Sequence, residues 1–158
     1  MTKTLLTLIL GLNFLSLFGQ IADNTNKKDE SNIYNQSVIQ FLKYLKAEKF
    51  QISDTIFFMV DEFGLTKNLM RKIGNTRLLV VEQTETEKLV IKRNGMTLYR
   101  LFPLEFDNQE FHVSLVPCSA TYNKVQTGLF FTTYGGYWIN FKFDNGKFKF
   151  LRIDNNAI

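Results

Sequence analysis

The pair Asn145-Gly146 does more than any other feature to limit what this chain can fold into. It lies between Tyr137–Asp144 and Lys147–Ile153, two runs in which aromatic and polar residues alternate. Asn-Gly favours a two-residue type I′ turn because both residues tolerate positive φ. That turn sets Phe143 opposite Phe148 and Phe141 opposite Phe150, so four Phe side chains share one face. A three-residue turn through Asp144 would place Phe143 against Lys147 and lose the match. Hydrophobic pattern and turn chemistry therefore select one register. Lys142 and Lys149 then meet on the other face, a like-charge pair that only water tolerates.

Asn94-Gly95 repeats the signal. It predicts a hairpin of Lys88–Arg93 with Met96–Phe102, in which Ile91 faces Leu98 and Val90 faces Tyr99. Thr55–Val60 is a nearly continuous apolar run, expected of a strand covered on both faces. Arg77–Glu82 reads alike. Phe106-Asp107-Asn108-Gln109 is a turn joining Thr97–Glu105 to Phe111–Val116. Pro117 ends that strand or marks an edge. Leu129–Tyr134 is a further strand, and Gly135-Gly136 a bulge before the final hairpin.

Helical spacing is clearest over Ile33–Lys49, where Val38, Phe41, Leu42 and Leu45 recur on one face. Ser31 or Asn32 caps its start. A weaker helical turn is expected over Leu65–Ile73, ended by Gly74-Asn75. A face as apolar as that of the first helix must rest on a sheet. The expectation is an α+β domain over residues 32–158, its N-terminal amphipathic helix packed on a curved antiparallel sheet of about six strands. The chain has 16 Phe, enough aromatic area for a core without covalent staples.

That order of elements resembles the cone-shaped nuclear-transport-factor-like (NTF2-like) and cystatin-like domains, which wrap a sheet about an N-terminal helix. The aromatic final hairpin is similar to that of many small exported bacterial proteins of unknown function. The resemblance spans residues 32–153 through element order alone, and implies no site residue.

The start of the chain bears on location. Lys3 precedes an apolar run from Leu5 to Phe18, and the small Gly19 stands before Gln20. This is the layout of a secretory signal peptide over residues 1–19. The run is shorter than the roughly 20 residues a membrane span needs. No Cys near its end offers a lipid anchor, so no membrane contact is expected after cleavage. Residues 20–31 are polar and read as a flexible leader. The product would be periplasmic or extracellular.

Charge and chemistry exclude several classes. The net charge is +4, falling to +3 without Lys3, too small for nucleic-acid binding. Lys142, Lys147, Lys149 and Arg152 form a solvated face. The single Cys118 permits no internal disulfide and is expected to pack as a small hydrophobe. One His and one Cys supply no usual zinc set. Asp23, Asp29 and Glu30 lack calcium-loop spacing, and Gly135-Gly136 lacks the following helix of a phosphate loop. Neither metal nor cofactor is expected.

His112 is the sole His. On one extended strand it stands roughly 20 Å from Cys118, at about 3.3 Å per residue, so the two form no dyad. Asp61-Glu62 follows a strand, and neighbours there point to opposite faces. Glu105, Asp107 and Glu110 surround one turn. Trp138 is expected across the hairpin from Ile153, with Leu151 one pair further on. It is either a second small core or an exposed aromatic patch.

These residues support a non-catalytic binding domain, for an unknown small ligand or protein, using Trp138, Tyr134 and Tyr137. The alternatives are a small enzyme pairing His112 with Glu105 or Asp107, and an inhibitor or neutralising partner of a secreted protein. A buried His112 beside a carboxylate in a pocket would favour the enzyme.

Overall fold

The computed structural model describes residues 31–133 and 135–156. The expected signal peptide and almost all of the leader, and also Tyr134, lie outside the described residues. The elements in chain order are α1 (Ile33–Ala47), β1 (Thr55–Met59), a 3-10 turn (Leu65–Asn68), β2 (Lys72–Ile73), β3 (Thr76–Val81), α2 (Gln83–Arg93), β4 (Met96–Asp107), β5 (Glu110–Asn123), β6 (Gly128–Thr133), β7 (Gly136–Asp144) and β8 (Lys147–Asn156). The class is α+β. The sheet has eight strands in the order β2-β3-β1-β4-β5-β7-β8, with β6 also on β5.

The first helix follows its sequence. The Asn32 side chain accepts from the Tyr34 and Asn35 N–H groups, capping the start. Val38, Phe41, Leu42 and Leu45 are buried against Ile56, Phe58, Val113, Leu115, Ile139 and Phe141 of the sheet. Burying each such side chain contributes about 1.5–3 kcal/mol relative to exposure. Asn35, fully buried, ties the helix to the 3-10 segment by donating to the Asn68 carbonyl and accepting from Met70 N–H.

From the turn as far as Phe141, the final hairpin keeps the register that Asn-Gly dictates. Phe143 pairs with Phe148, Phe141 with Phe150 and Lys142 with Lys149. The Phe face takes in Phe111, whose ring lies 5.3 Å from Phe148. Lys142 and Lys149 are both exposed.

Several expectations need correction. The sheet has eight strands, not about six, and Pro117 neither ends β5 nor lies on an edge strand. The sheet is mixed, since β1 runs parallel to both β3 and β4. Residues 88–93 are helix, not strand, so Ile91 does not face Leu98 nor Val90 face Tyr99. Gln83–Arg93 puts Thr86 and Val90 one turn apart on a buried face. They cover Phe57, Leu98 and Ala120, the side of the sheet opposite α1. Asn94 adopts left-handed φ as the C-cap, and Gly95 N–H donates to the Val90 carbonyl. Asn-Gly thus ends a helix that carries the chain from β3 to β4 across β1.

The helical turn expected over Leu65–Ile73 stops at Asn68. Lys72–Ile73 is instead a strand, and Gly74-Asn75 turns it back on β3. β1 buries Ile56, Phe57 and Phe58 as expected of a doubly covered strand, but β3 buries only Leu78 and Val81. The latter lies next to the short edge strand β2, where cover is thin.

β5 runs through Pro117 to Asn123. β7 pairs with β5 as far as Leu115 and β6 only from Cys118, so Pro117 falls where that ladder is broken. Pro103, the other proline, lies in the β4 irregularity between Leu101 and Leu104. Both prolines occupy interruptions, where a missing N–H costs no ladder bond. Gly135 lies between β6 and β7 and Gly136 opens β7 opposite Asn156, where a Cβ on it would meet Val116 Cγ2 at 2.9 Å.

Candidate functional site

A row of polar side chains crosses the sheet on the α2 side, beyond the end that α2 covers. Register places Glu105 of β4 opposite His112 of β5, His112 opposite Asn140 of β7, and Asn140 opposite Arg152 of β8. Directly opposed residues share a face and touch. His112 Nε2 lies 3.2 Å from Glu105 Oε2. Asn140 Nδ2 donates to Asp154 Oδ2 at 3.0 Å and to the Trp138 carbonyl at 3.1 Å. Arg152 donates to Asp154 through Nε and to Glu110 through Nη1 at 2.9 Å. Its guanidinium, by that bond and its charge, holds the Glu110 carboxyl below its ordinary range.

Trp138 completes the cluster. Its ring stacks on the His112 imidazole, centroids 4.8 Å apart and planes 23° from parallel. His112 is 4% exposed and Asn140 3%, whereas Trp138 is 41% exposed. The tryptophan belongs to neither hydrophobic cluster. It is an exposed aromatic fixed on a buried polar base.

The expected partner of Trp138 was Ile153; the observed one is Asp154. A bulge at Leu151 shifts the register between Asn140 and Phe141, and Leu151 faces no β7 residue as a pair. The signal was in the spacing. Phe148 and Phe150 alternate onto the α1 face, but the next apolar residue facing that core is Ile153, three positions on. A bulge restores Ile153 to Ile139 and turns Arg152 outward.

The other candidates separate. Tyr137, beside Trp138 on β7, points to the opposite face and packs on Phe41 and Tyr44 of α1. Burial, with Tyr44 adding, pushes its phenol above the ordinary range. Asp107 is exposed at the β4–β5 turn and accepts from Asn108 rather than reaching His112. Cys118 is buried, 1% exposed, and is not brought to His112. Burial pushes its thiol pKa up, partly opposed by Arg100.

The chemistry this permits is narrow. A His–carboxylate contact exists, yet the imidazole is covered by Trp138 and turned to Glu105. The crevices of about 400 and 530 Å³ open elsewhere, at the ends of β1 and β3, and that of about 460 Å³ at the starts of β1 and β4; neither His112 nor Trp138 lines them. Among the described residues, no helix is long and apolar enough to cross a membrane. Set beside known proteins, the chain matches no family model, no curated protein and no solved structure.

Proposed function

We propose that the protein is an exported, non-catalytic binding domain that engages its ligand or partner through the sheet face around Trp138. One observation carries this reading: a half-exposed indole stacked on the buried His112 ring. An aromatic side chain ordered before contact loses little entropy on binding and offers a large area. Glu105, Asp154 and Arg152 surround it with donors and acceptors that would orient what lies on the ring. The export half of the reading rests on the basic start, apolar run and Gly19 of the first twenty residues.

Trp138 is the only tryptophan, so its emission reports on the site alone. Trp138→Ala is expected to cost at most about 1 kcal/mol of stability, as for a surface side chain outside the core. A loss as large as that of a core Phe would make Trp138 structural and overturn the binding role. Turnover of any substrate that disappears in His112→Ala would overturn the non-catalytic one. Mass spectrometry of the exported product is expected to find Gln20 first; a mature protein retaining Met1 would refute export.

The second reading, an enzyme built on His112, is favoured by the 3.2 Å contact with Glu105. It ranks behind because a general base must reach a substrate proton, and this imidazole is almost wholly covered.

A further inference from the structure

The parallel half of the sheet makes a crevice unrelated to the Trp138 face. β1 and β3 are parallel neighbours whose last paired residues are Met59 and Val81. Their connections then diverge. After β1 the chain passes to the α1 side, where Leu65 and Leu69 pack on the main core. After β3 it enters α2 on the other side, where Val90 anchors the second core. Adjacent parallel strands whose exits part in this way leave a gap at their carboxyl ends, the place where open α/β sheets take ligands.

Two adjoining cavities of about 400 and 530 Å³ occupy that gap and share Val60, Asp61 and Glu82. The larger falls within the roughly 300–1,000 Å³ of small-molecule sites. Its apolar wall comes from Met59, Leu129 and Phe131. Four carboxylates line it as well, those of Asp61, Glu62, Glu82 and Glu87, and no Lys, Arg or His does; the basic residues of the gap, Lys67 and Arg71, line the smaller cavity instead. That is a local excess of negative charge in a chain of net charge +4.

None of the four carboxylates belongs to an ion pair among the described residues. Asp61 is fixed: its two oxygens accept from the Leu65 and Thr66 N–H groups at 2.8 Å each. Burial alone would raise its carboxyl pKa, but these bonds outweigh burial and hold it below the ordinary value. Among the described residues, no three of His, Cys, Asp or Glu converge closely enough to hold a metal ion. Negative charge is spread around a hollow with one apolar wall, which is complementary to a cation carried on a carbon skeleton.

We infer that the crevice binds a small organic cation, an amine or guanidinium on an apolar body. The carbon skeleton lies on Phe131, Leu129 and Met59, and the charge is taken up by Glu82, Glu87 and Asp61. A cation near the face of Phe131 gains further from the ring quadrupole.

The test uses three probes of one skeleton: 2-phenylethylamine, 2-phenylethanol and phenylacetate, titrated into the full chain while NMR follows the Met59 and Leu129 methyl groups. The amine is expected to shift them saturably, the alcohol to bind at least about tenfold more weakly, and the anion not at all. The double variant Glu82→Gln with Glu87→Gln, and separately Phe131→Ala, should each weaken the amine by about tenfold. Trp138→Ala should leave it unchanged, which separates this site from the one proposed above. Equal binding of amine and alcohol, absence of a saturable shift, or tighter capture of calcium ions by the same carboxylates would overturn the inference. Unchanged amide spectra away from the crevice verify that each variant is folded.

Discussion

Asn94-Gly95 and Asn145-Gly146 are chemically the same pair, with Asn φ of 56° and 51°, yet one ends a helix and the other turns a hairpin. The dipeptide specifies a left-handed backbone and nothing more. Its flanks decide the outcome. Before Asn145, residues 141–144 alternate Phe with Lys or Asp, which suits a pleated ladder. Before Asn94, Leu89-Val90-Ile91 are consecutive, and Thr86 and Val90 fall one turn apart. The two sites mark two halves of the sheet. One is antiparallel and built from sequence neighbours; the other is parallel and needs a helix to carry the chain back.

The largest test of that contrast compares the cores. Phe141, fully buried between α1 and the final hairpin, should cost about 3–5 kcal/mol as Phe141→Ala. Val90→Ala removes less from the smaller cluster under α2 and should cost about 2 kcal/mol. Urea unfolding followed by circular dichroism measures both. An equal cost would mean that the two layers are equally dense, and would erase the distinction.

The next test separates the two glycines. Gly95 has φ of 105°, beyond the left-handed well open to side chains, and a Cβ there would lie 3.5 Å from the Ala120 carbonyl. Gly146 has φ of 77° with nothing within 4 Å of a Cβ. Gly95→Ala should therefore cost about 2–3 kcal/mol and Gly146→Ala about 1 kcal/mol. The midpoints of thermal melts give the order. A reversed order would show that the hairpin turn, not the helix cap, carries the backbone constraint.

The same contrast explains what was legible in the residues. The last hairpin was readable in its pairs from the turn as far as Phe141–Phe150, because turn and alternation lie within a few residues of one another there, and not beyond the bulge. The first helix was readable because its apolar face repeats over fifteen residues and Asn32 caps it. The parallel centre was not. Nothing local to Thr55–Met59 states that its neighbours are β3 and β4, and helix and hairpin compete for the same Asn-Gly punctuation. At the candidate site, Glu105 beside His112 was legible as one option, since a turn joins their strands. Trp138 beside Asp154 follows from the turn only if the three-residue step from Phe150 to Ile153 is also read, since the extra residue Leu151 moves the register by one.

The smallest and most local test concerns how firmly α2 covers its face. Cys118 pairs with Leu98 on that face and is 1% exposed. Its thiol donates toward the Val116 carbonyl at 3.7 Å, and burial raises its pKa. Fewer thiolates and little access both slow alkylation. At pH 8, iodoacetamide should modify the native chain on the order of a hundredfold more slowly than the urea-unfolded one. The comparison is sharpened by Val90→Ala. If α2 opens as a separate layer, that variant should speed alkylation of Cys118 while amide exchange at Ile139 and Phe141, under α1, slows or quickens only with global stability. Should Cys118 and the α1-side amides respond in step, both faces of the sheet unfold as one unit, and the two halves differ in topology without differing in stability.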